Sequence, residues 1–534
     1  MDHKNIITVG GKPFFPLGGQ VCNSSAYSVE ELRYGLDALA LIRANTAEIP
    51  IYWDQVEPEE GQFSFSHVGE IIDECGKRGL KIIFLWFGTW KNANMKYAPA
   101  WVKRNRQRFW TNLSADGLSY PSLSPACRAT RDADSRTFCA LMAYIRNYDK
   151  SHTVIMMQVE NEPGVLHSLK RDYGEASQAL FDAPVPQGLV EAVKQADGRY
   201  IKKAWDACGS HEDAAWKDTF GLDADELFNA WQIAAYINSI AENGKKVYDL
   251  PMYTNFWIGD NDRSIAGYRY PSGSAVGKTL EVWHWAAPAL CFFAPDNYMH
   301  SHDEFSRFCE VYSRGGHPLF IPESGPQEAF ACNIFIAIAE YNVRGYAVFG
   351  VEGVIWEDGT PNPEAAALIG SYHALSAFAP VLPDYLGTGR IRAVNQKEYM
   401  GWRTLEFEDW IVSLQYGSGG LRTDYHHRAR PDAVEQMSKE RGRGLVIEAE
   451  PNVFYALGAG FNLIFWNKKT YRALNMPTPA TELLDPRAAV YLSVEEGFFN
   501  AEGQWVTRRI RNGDESDTGV WVSSDIGVVR IELL

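Results

Sequence analysis

Eight short apolar runs, separated by amphipathic stretches of helical character, occupy the chain from about residue 10 to about residue 380. Such alternation is typical of parallel strands that are joined by crossover helices. Eight units of this kind predict an α/β fold, a (β/α)8 TIM barrel, and not an open doubly wound sheet. The runs are PFFPLGGQ (13–20), TAEIPIY (46–52), LKIIFLWF (80–87), TVIMMQVE (153–160), PMYTNFW (251–257), LCFFAPDNY (290–298), PLFIPES (318–324) and GYAVFGVE (345–352).

The length of 534 residues predicts more than one domain, because a single hydrophobic core stops growing at roughly 250 to 300 residues. After the helix-like stretch at 362–382 the sequence changes to short alternating strands with Gly and Asp turns. We expect a catalytic barrel at 1–382, with a helical insertion around 165–245, and a C-terminal all-β, sandwich-like domain at 383–534.

Composition excludes several classes of partner. A formal net charge of −16 disfavours binding to nucleic acid or to an anionic membrane surface. No apolar run reaches the roughly 20 residues of a membrane helix. The eight cysteines are scattered without metal-binding spacing, and the polar N-terminus has no secretory apolar segment, so a cytoplasmic protein is expected unless a signal was trimmed.

Two glutamates end strands on opposite sides of the predicted barrel. The fourth run ends in QVENE (158–162) and the seventh in IPESG (321–325). Active sites of TIM barrels lie at the carboxyl ends of the strands, and retaining glycosidases need two carboxyl groups about 5 to 5.5 Å apart. The sequence therefore predicts that Glu162 and Glu323 are these two catalytic carboxyl groups.

Four phrases carry a resemblance to a known group of enzymes: GGKPFFPLGG (10–19), IYWDQVEPEEGQFSF (51–65), QVENEPG (158–164) and APDNY (294–298). The chain resembles the clan A TIM-barrel glycoside hydrolases, and within them the β-galactosidases of families 35 and 42 that carry a C-terminal β domain. The stretch WFGTWKN (86–92) is more similar to family 42. The resemblance implies removal of terminal β-D-galactosyl residues with retention. It also implies that Glu162 is the general acid/base and Glu323 the nucleophile. By the same resemblance, Asn161 binds the sugar 2-hydroxyl and Tyr298 bonds to the nucleophile.

Other polar and aromatic residues near strand ends are candidates for the sugar pocket: Gln20, Asn23, Tyr52, Trp86, Trp90, Glu160 and Trp356. Glu160 should point away from Asn161 by strand alternation, either as support for the site or as a paired barrel carboxylate. Asp296 and Glu352 are expected either to touch the ligand or to brace the rim.

No cofactor or metal is expected. His426 and His427 lack a partnered ligand spacing and are interpreted as part of a solvated turn. The expected partner is a glycoside or oligosaccharide, and a homo-oligomer is suggested only by analogy. An exo-glycosidase of different specificity, such as an arabinopyranosidase or a glucosidase, and a non-catalytic carbohydrate-binding barrel stay open as alternatives.

Overall fold

The N-terminal part of the chain is built around a curled parallel sheet. A computed structural model describes residues 7–259, 264–397, 400–416, 440–469, 489–516 and 519–534. The strands up to residue 349 are β1 (Thr8–Val9), β2 (Lys12–Pro13), β3 (Leu17–Gln20), β4 (Thr46–Tyr52), β5 (Lys81–Lys91), β6 (Thr111–Leu113), β7 (Ser119–Leu123), β8 (Val154–Asn161), β9 (Met252–Trp257), β10 (Phe292–Asp296) and β11 (Tyr346–Phe349). Seven of them form one sheet in the order β10-β9-β8-β5-β4-β3-β11.

The predicted seventh run closes this sheet into a barrel. Ile321 forms a parallel bridge with Tyr346 of β11, and on the other side the Asn297 amide donates to the Glu323 carbonyl at 3.0 Å. The run forms a bridge instead of a regular strand because Pro322 has no N–H to donate to a ladder. The predicted TIM barrel is therefore confirmed, with its seventh strand reduced to isolated hydrogen bonds.

Helices cover the outside of the barrel and account for most of the long segment between β8 and β9. They are α1 (Val29–Ile42), α2 (Trp53–Val56), α3 (Ser66–Lys77), α4 (Ala100–Arg104), α5 (Arg128–Tyr148), α6 (Glu175–Asp182), α7 (Gln187–Lys194), α8 (Tyr200–Ala207), α9 (Trp216–Phe220), α10 (Ala224–Val247), α11 (Leu280–Ala286), α12 (His302–Ser313), α13 (Glu328–Tyr341), α14 (Ala366–Ser376) and α15 (Leu382–Tyr385). Trp216 of α9 packs edge-on against Phe228 of α10, with ring centroids 5.4 Å apart. This contact ties the helices that follow β8 to the long helix leading into β9. Among the described residues, no helix combines the length and the apolar character needed to span a bilayer.

The C-terminal part is all β, as predicted. Its strands are β12 (Ile391–Asn395), β13 (Trp402–Glu406), β14 (Trp410–Tyr416), β15 (Arg443–Glu450), β16 (Val453–Ala459), β17 (Phe461–Asn467), β18 (Tyr491–Phe499), β19 (Trp505–Arg511), β20 (Val520–Val522) and β21 (Val528–Leu533). They form a six-stranded sheet, β12-β15-β16-β21-β18-β19, and a four-stranded sheet, β13-β14-β17-β20. Side chains of both sheets, such as Val412 and Val446, share one apolar core, which is the packing of a sandwich.

A buried arginine joins this β domain to the barrel. Arg443 of β15 is fully buried, and its guanidinium donates to Ser371 Oγ at 2.9 Å and to the Ala367 carbonyl at 3.1 Å, both on α14. Glu440 also accepts from it at 2.6 Å. A buried cation is tolerated when it is paired and hydrogen-bonded, so this contact fixes β15 against α14.

Candidate active site

Glu323 lies in the centre of the barrel mouth, where side chains from β3, β8, β9 and the loop after β10 reach it. It is 5% exposed. Its Oε1 accepts from Gln20 Nε2 at 3.2 Å, from Asn255 Nδ2 at 3.2 Å and from Asn161 Nδ2 at 3.5 Å, while its Oε2 accepts from the Tyr298 hydroxyl at 3.0 Å. Four donors directed at one carboxylate suit its ionised, acceptor-only form. The arrangement orients Glu323 and leaves it little rotational freedom.

Glu162 follows β8 on a distorted backbone. Both Glu160 and Glu162 are in the left-handed region, with φ of 64° and 45°, which costs a non-glycine residue roughly 1 kcal/mol or more. The Glu162 amide donates to Asn255 Oδ1 at 3.1 Å, and Asn92 Nδ2 donates to Glu162 Oε2. Strained backbone of this kind persists only when the surroundings fix it, and here it aims the Glu162 side chain at the centre of the site.

Three buried carboxyl groups meet at this point. Oxygens of Glu162, Asp296 and Glu323 lie within 4.8 Å of one another. Burial raises the pKa of Glu162 to about 7, with the charge of Glu323 adding to the effect and Lys91 opposing it. Burial, followed by Glu323 and Glu162, also raises the pKa of Asp296 well above its ordinary value. Glu323 thus stands beside two carboxyl groups whose pKa values are raised by burial and by the neighbouring carboxylates.

This carboxyl cluster is the one group among the described residues whose oxygens could surround a metal ion. Its oxygens already accept from amide and phenol donors. Asn255 Nδ2 donates to both oxygens of Asp296, at 3.2 and 3.0 Å, in addition to Glu323. N–H and O–H groups that point at these carboxyl oxygens would repel a cation bound among them. The residues present therefore fit acid/base chemistry better than metal binding. His426 and His427 lie outside the described residues.

Lys91 fixes the orientation of Asn161. The residue is 4% exposed, and its ammonium donates to Asn161 Oδ1 at 2.8 Å. Because an ammonium only donates, the amide oxygen must face Lys91 and the Nδ2 group must face Glu323. Sequence reasoning missed Lys91 and Asn255. A lysine that ends an otherwise apolar strand, and an asparagine within β9, were the available signals.

Glu160 and Trp86 lie below the pocket. Glu160 is fully buried and accepts from the Thr89 and Trp90 amides at 3.1 and 2.7 Å. Burial, and then the neighbouring Asp134, raise its pKa well above the ordinary value, which favours the paired barrel carboxylate over a ligand contact. Trp86 is fully buried and donates its indole N–H to Asp134 at 2.8 Å. The expectation that Trp86 lines the sugar pocket is corrected, because this ring supports the floor.

The remaining pocket candidates are spread from the interior to the rim. Trp90 is fully buried and packs edge-on against Tyr236, with ring centroids 4.8 Å apart. Tyr52 is also buried, and its hydroxyl donates to the Asn23 carbonyl at 2.7 Å. Trp356 is 51% exposed and stands beyond the carboxyl end of β11. Of these four, Trp356 and the half-buried Asn23 have surface that a ligand can touch without rearrangement.

Tyr27 and Glu352 shape the rim near β3. Tyr27, which sequence reasoning missed, stacks on Tyr52 at 4.1 Å and is 42% exposed. Glu352 accepts from the Cys22 amide at 2.9 Å and from Ser25 Oγ at 2.6 Å. Glu352 therefore braces the loop after β3, which decides between its two expected roles.

Glu48, on β4 beneath the site, is expected to make the stability of the protein depend on pH. It is fully buried, and burial followed by the charge of Glu323 raises its pKa well above the ordinary value. A raised folded-state pKa costs stability once the pH exceeds the unfolded value of about 4.3. We expect Glu48→Gln to increase the free energy of unfolding at pH 8 and to change it little near pH 4. Urea unfolding at both pH values measures this, with the exposed Glu364→Gln as control. A variant less stable than the parent at pH 8 would contradict the expectation.

Comparison with known families decides where the chain belongs. The model of glycoside hydrolase family 42, described as beta-galactosidase, matches residues 30–307, more than half of the 534 residues. The chain belongs to glycoside hydrolase family 42. This confirms the resemblance to family 42 over the one to family 35. A second model, a domain of unknown function named DUF5597, matches residues 368–523 of this family 42 protein. No protein with a curated description matches the sequence.

Solved structures that are similar to this family 42 protein have low sequence identity to it. The β-galactosidase of the Antarctic haloarchaeon Halorubrum lacusprofundi is 17% identical, with a TM-score of 0.48 over 68% of this chain and 58% of that chain. The β-amylase catalytic domain of Paenibacillus polymyxa is 14% identical, with a TM-score of 0.47 over 66% of this chain and 97% of that chain. The exo-β-1,4-mannosidase Op5Man5 of Opitutaceae bacterium strain TAV5 is 13% identical, with a TM-score of 0.45 over 70% and 62%. The chain spans 58% of the length of the haloarchaeal protein.

Proposed function

We propose that this glycoside hydrolase removes terminal β-D-galactosyl residues, or related pyranosyl residues, from oligosaccharides with retention of configuration. The observation that carries the proposal is the close approach of the Glu162 and Glu323 carboxyl oxygens, within 4.8 Å. Inverting enzymes need about 6.5 to 9.5 Å between the two groups to admit a water molecule, whereas retaining enzymes use about 5 to 5.5 Å. The spacing supports direct attack by one of the carboxylates.

The two glutamates take complementary roles in this proposal. Glu323 attacks the anomeric carbon, while protonated Glu162 gives its proton to the departing oxygen. Glu162, now ionised, then removes a proton from water, and the water oxygen displaces Glu323 from the anomeric carbon. The pKa of about 7 held by Glu162 suits a group that must donate and then accept a proton near neutral pH.

Residues around the pair would stabilise the sugar and the nucleophile. Tyr298 and Gln20, which donate to the two oxygens of Glu323, would hold it in line with the anomeric carbon. Asn161 Nδ2, oriented by Lys91, would bond to the sugar 2-hydroxyl, a contact that strengthens in the oxocarbenium-like transition state. Trp356 at the rim would offer its ring to the apolar face of the sugar.

The pKa of Glu162 gives an expected pH dependence. Burial and Glu323 raise it to about 7, and catalysis of the first step needs the protonated form. We therefore expect kcat/KM to fall by about tenfold per pH unit above that value. A pH series on a disaccharide, whose leaving oxygen requires the proton, measures this fall. The decline should be absent in Glu162→Gln, and a decline that persists in that variant would assign it to another group.

A panel of nitrophenyl glycosides tests the proposed function. We expect the highest kcat/KM on the β-D-galactoside or on the α-L-arabinopyranoside, which presents the same ring hydroxyls. A preference for the β-glucoside would replace the sugar assignment and keep the two-carboxylate mechanism. Absence of turnover on every member, with sugar binding retained, would refute the enzymatic function and favour a carbohydrate-binding barrel.

A further inference from the structure

A series of contacts runs outward from Glu162 to the protein surface. Asn92 bonds to the Glu162 carboxyl, and Asn94 Nδ2 donates to the Asn92 carbonyl at 2.8 Å. The other end of the Asn94 amide, Oδ1, lies 3.4 Å from His167 Nε2. His167 in turn stacks on Tyr120, with ring centroids 5.5 Å apart and an interplanar angle of 27°. The acid/base residue is thus connected to a surface pair of rings through two asparagines.

The rings of Tyr120 and His167 lie on the side of Glu162 from which the leaving group departs. A general acid protonates the oxygen between the departing group and the retained sugar, so the departing group must lie beside Glu162. The retained sugar lies toward Glu323, on the opposite side. His167 is exposed and Tyr120 half-buried, so their ring surfaces are accessible to a group that departs past Glu162 and Asn92.

The backbone at this place is strained and held in place. His167 and the following Ser168 both adopt left-handed φ values, 63° and 65°. The Ser168 amide donates to the Gly267 carbonyl at 2.8 Å, and a Cβ at Gly267 would come within 1.9 Å of the Leu169 carbonyl oxygen. Only glycine allows this close approach. Strained residues that the surroundings fix are concentrated at functional sites, which is a second, independent sign of a site here.

We propose that Tyr120 and His167 form the binding site for the leaving-group sugar. The inference rests on the proposed glycosidase function and extends it to the other side of the scissile bond. The ligand is a neutral pyranose ring, since an aromatic face suits the apolar face of a sugar. The Tyr120 phenol, the His167 imidazole and the Asn94 amide can form hydrogen bonds to the sugar hydroxyls. Phenol and amide are neutral groups, which suits a neutral ligand.

Two substrates that differ only in the leaving group test this site. When a disaccharide is cleaved, the leaving group is a sugar. When the corresponding glycosyl fluoride is cleaved, the leaving group is fluoride. Both substrates carry the same retained sugar, the one that the glycoside panel selects. We expect Tyr120→Ala and His167→Asn each to lower kcat/KM on the disaccharide by about tenfold and to leave kcat/KM on the fluoride unchanged. Asparagine is chosen for residue 167 because it tolerates the left-handed conformation.

Tyr148 provides the matched control. It is 41% exposed and ends α5, at the opposite end of the barrel, so Tyr148→Ala should alter neither substrate. Equal losses on the disaccharide and the fluoride in the Tyr120 and His167 variants would show a structural role and overturn the proposal. Unchanged disaccharide turnover would overturn it as well. If the parent protein turns over neither substrate, the proposed function itself fails, a result distinct from both of these.

Discussion

Replacing Glu323 with glycine is expected to lower kcat by on the order of 10⁴-fold or more, because it removes the group that forms the covalent intermediate. Sodium azide should restore part of the turnover, since a small anion can enter the space left by the carboxylate and attack the anomeric carbon itself. That single displacement gives a glycosyl azide of inverted configuration. The measurement is steady-state turnover of a nitrophenyl glycoside with and without azide.

Glu328→Gly is the control for this experiment. Glu328 begins α13, five residues after Glu323, and is exposed, so its loss should leave kcat close to that of the parent and unaffected by azide. Near-parental kcat in Glu323→Gly would show that another residue is the nucleophile. The same conclusion would follow if the variant were folded and inactive, and azide gave no rescue.

Replacing Glu162 with glutamine is expected to have an effect that depends on the leaving group. For a disaccharide, kcat/KM should fall by about 10² to 10⁴-fold, the usual contribution of a general acid. For a dinitrophenyl glycoside, whose leaving oxygen departs without a proton, the loss in kcat/KM should be much smaller. Glutamine keeps the size of the side chain and its contact with Asn92, so positioning is largely preserved. Equal losses on both substrates would contradict the role of Glu162 as acid.

The barrel could be predicted from the periodic apolar runs, and the two candidate catalytic glutamates from their positions at strand ends. The eight apolar runs gave the barrel because parallel strands buried on both faces require continuous apolar segments. The seventh run, PLFIPES (318–324), is placed in the barrel as predicted, although its prolines prevent a full ladder. Glu162 and Glu323 could be located because every strand of a closed barrel ends at the same face.

The roles of Lys91 and Trp86 could not be predicted, because they depend on irregular backbone. The pairing of β5 with β8 shifts register between Trp86 and Lys91, and that of β8 with β9 shifts between Gln158 and Asn161. Each shift breaks the alternation of side chains. Sequence reasoning therefore placed Trp86 at the pocket, when it donates to Asp134 below the floor, and it overlooked Lys91.

Hydrogen bonds between buried polar residues that are distant in the chain also cannot be predicted from the sequence. Asn255 lies in the run PMYTNFW (251–257) and looks like an interruption of an apolar strand, yet it bonds to two of the three carboxyl groups. Its partners Asp296 and Glu323 are 41 and 68 residues away in the chain. Pairing of β9 with β10 brings Asp296 to Asn255, and closure of the barrel beyond β10 brings Glu323, so spacing along the sequence carries no sign of either contact.

The most direct test of the two-carboxylate account is the anomeric configuration of the first product, followed by proton NMR from the start of hydrolysis of a β-glycoside. The separation of the Glu162 and Glu323 oxygens, within 4.8 Å, leaves no room for a water molecule between Glu323 and the sugar. We expect the β-anomer of the free sugar to appear first and the α-anomer to follow only by mutarotation. Initial formation of the α-anomer would contradict the covalent role of Glu323.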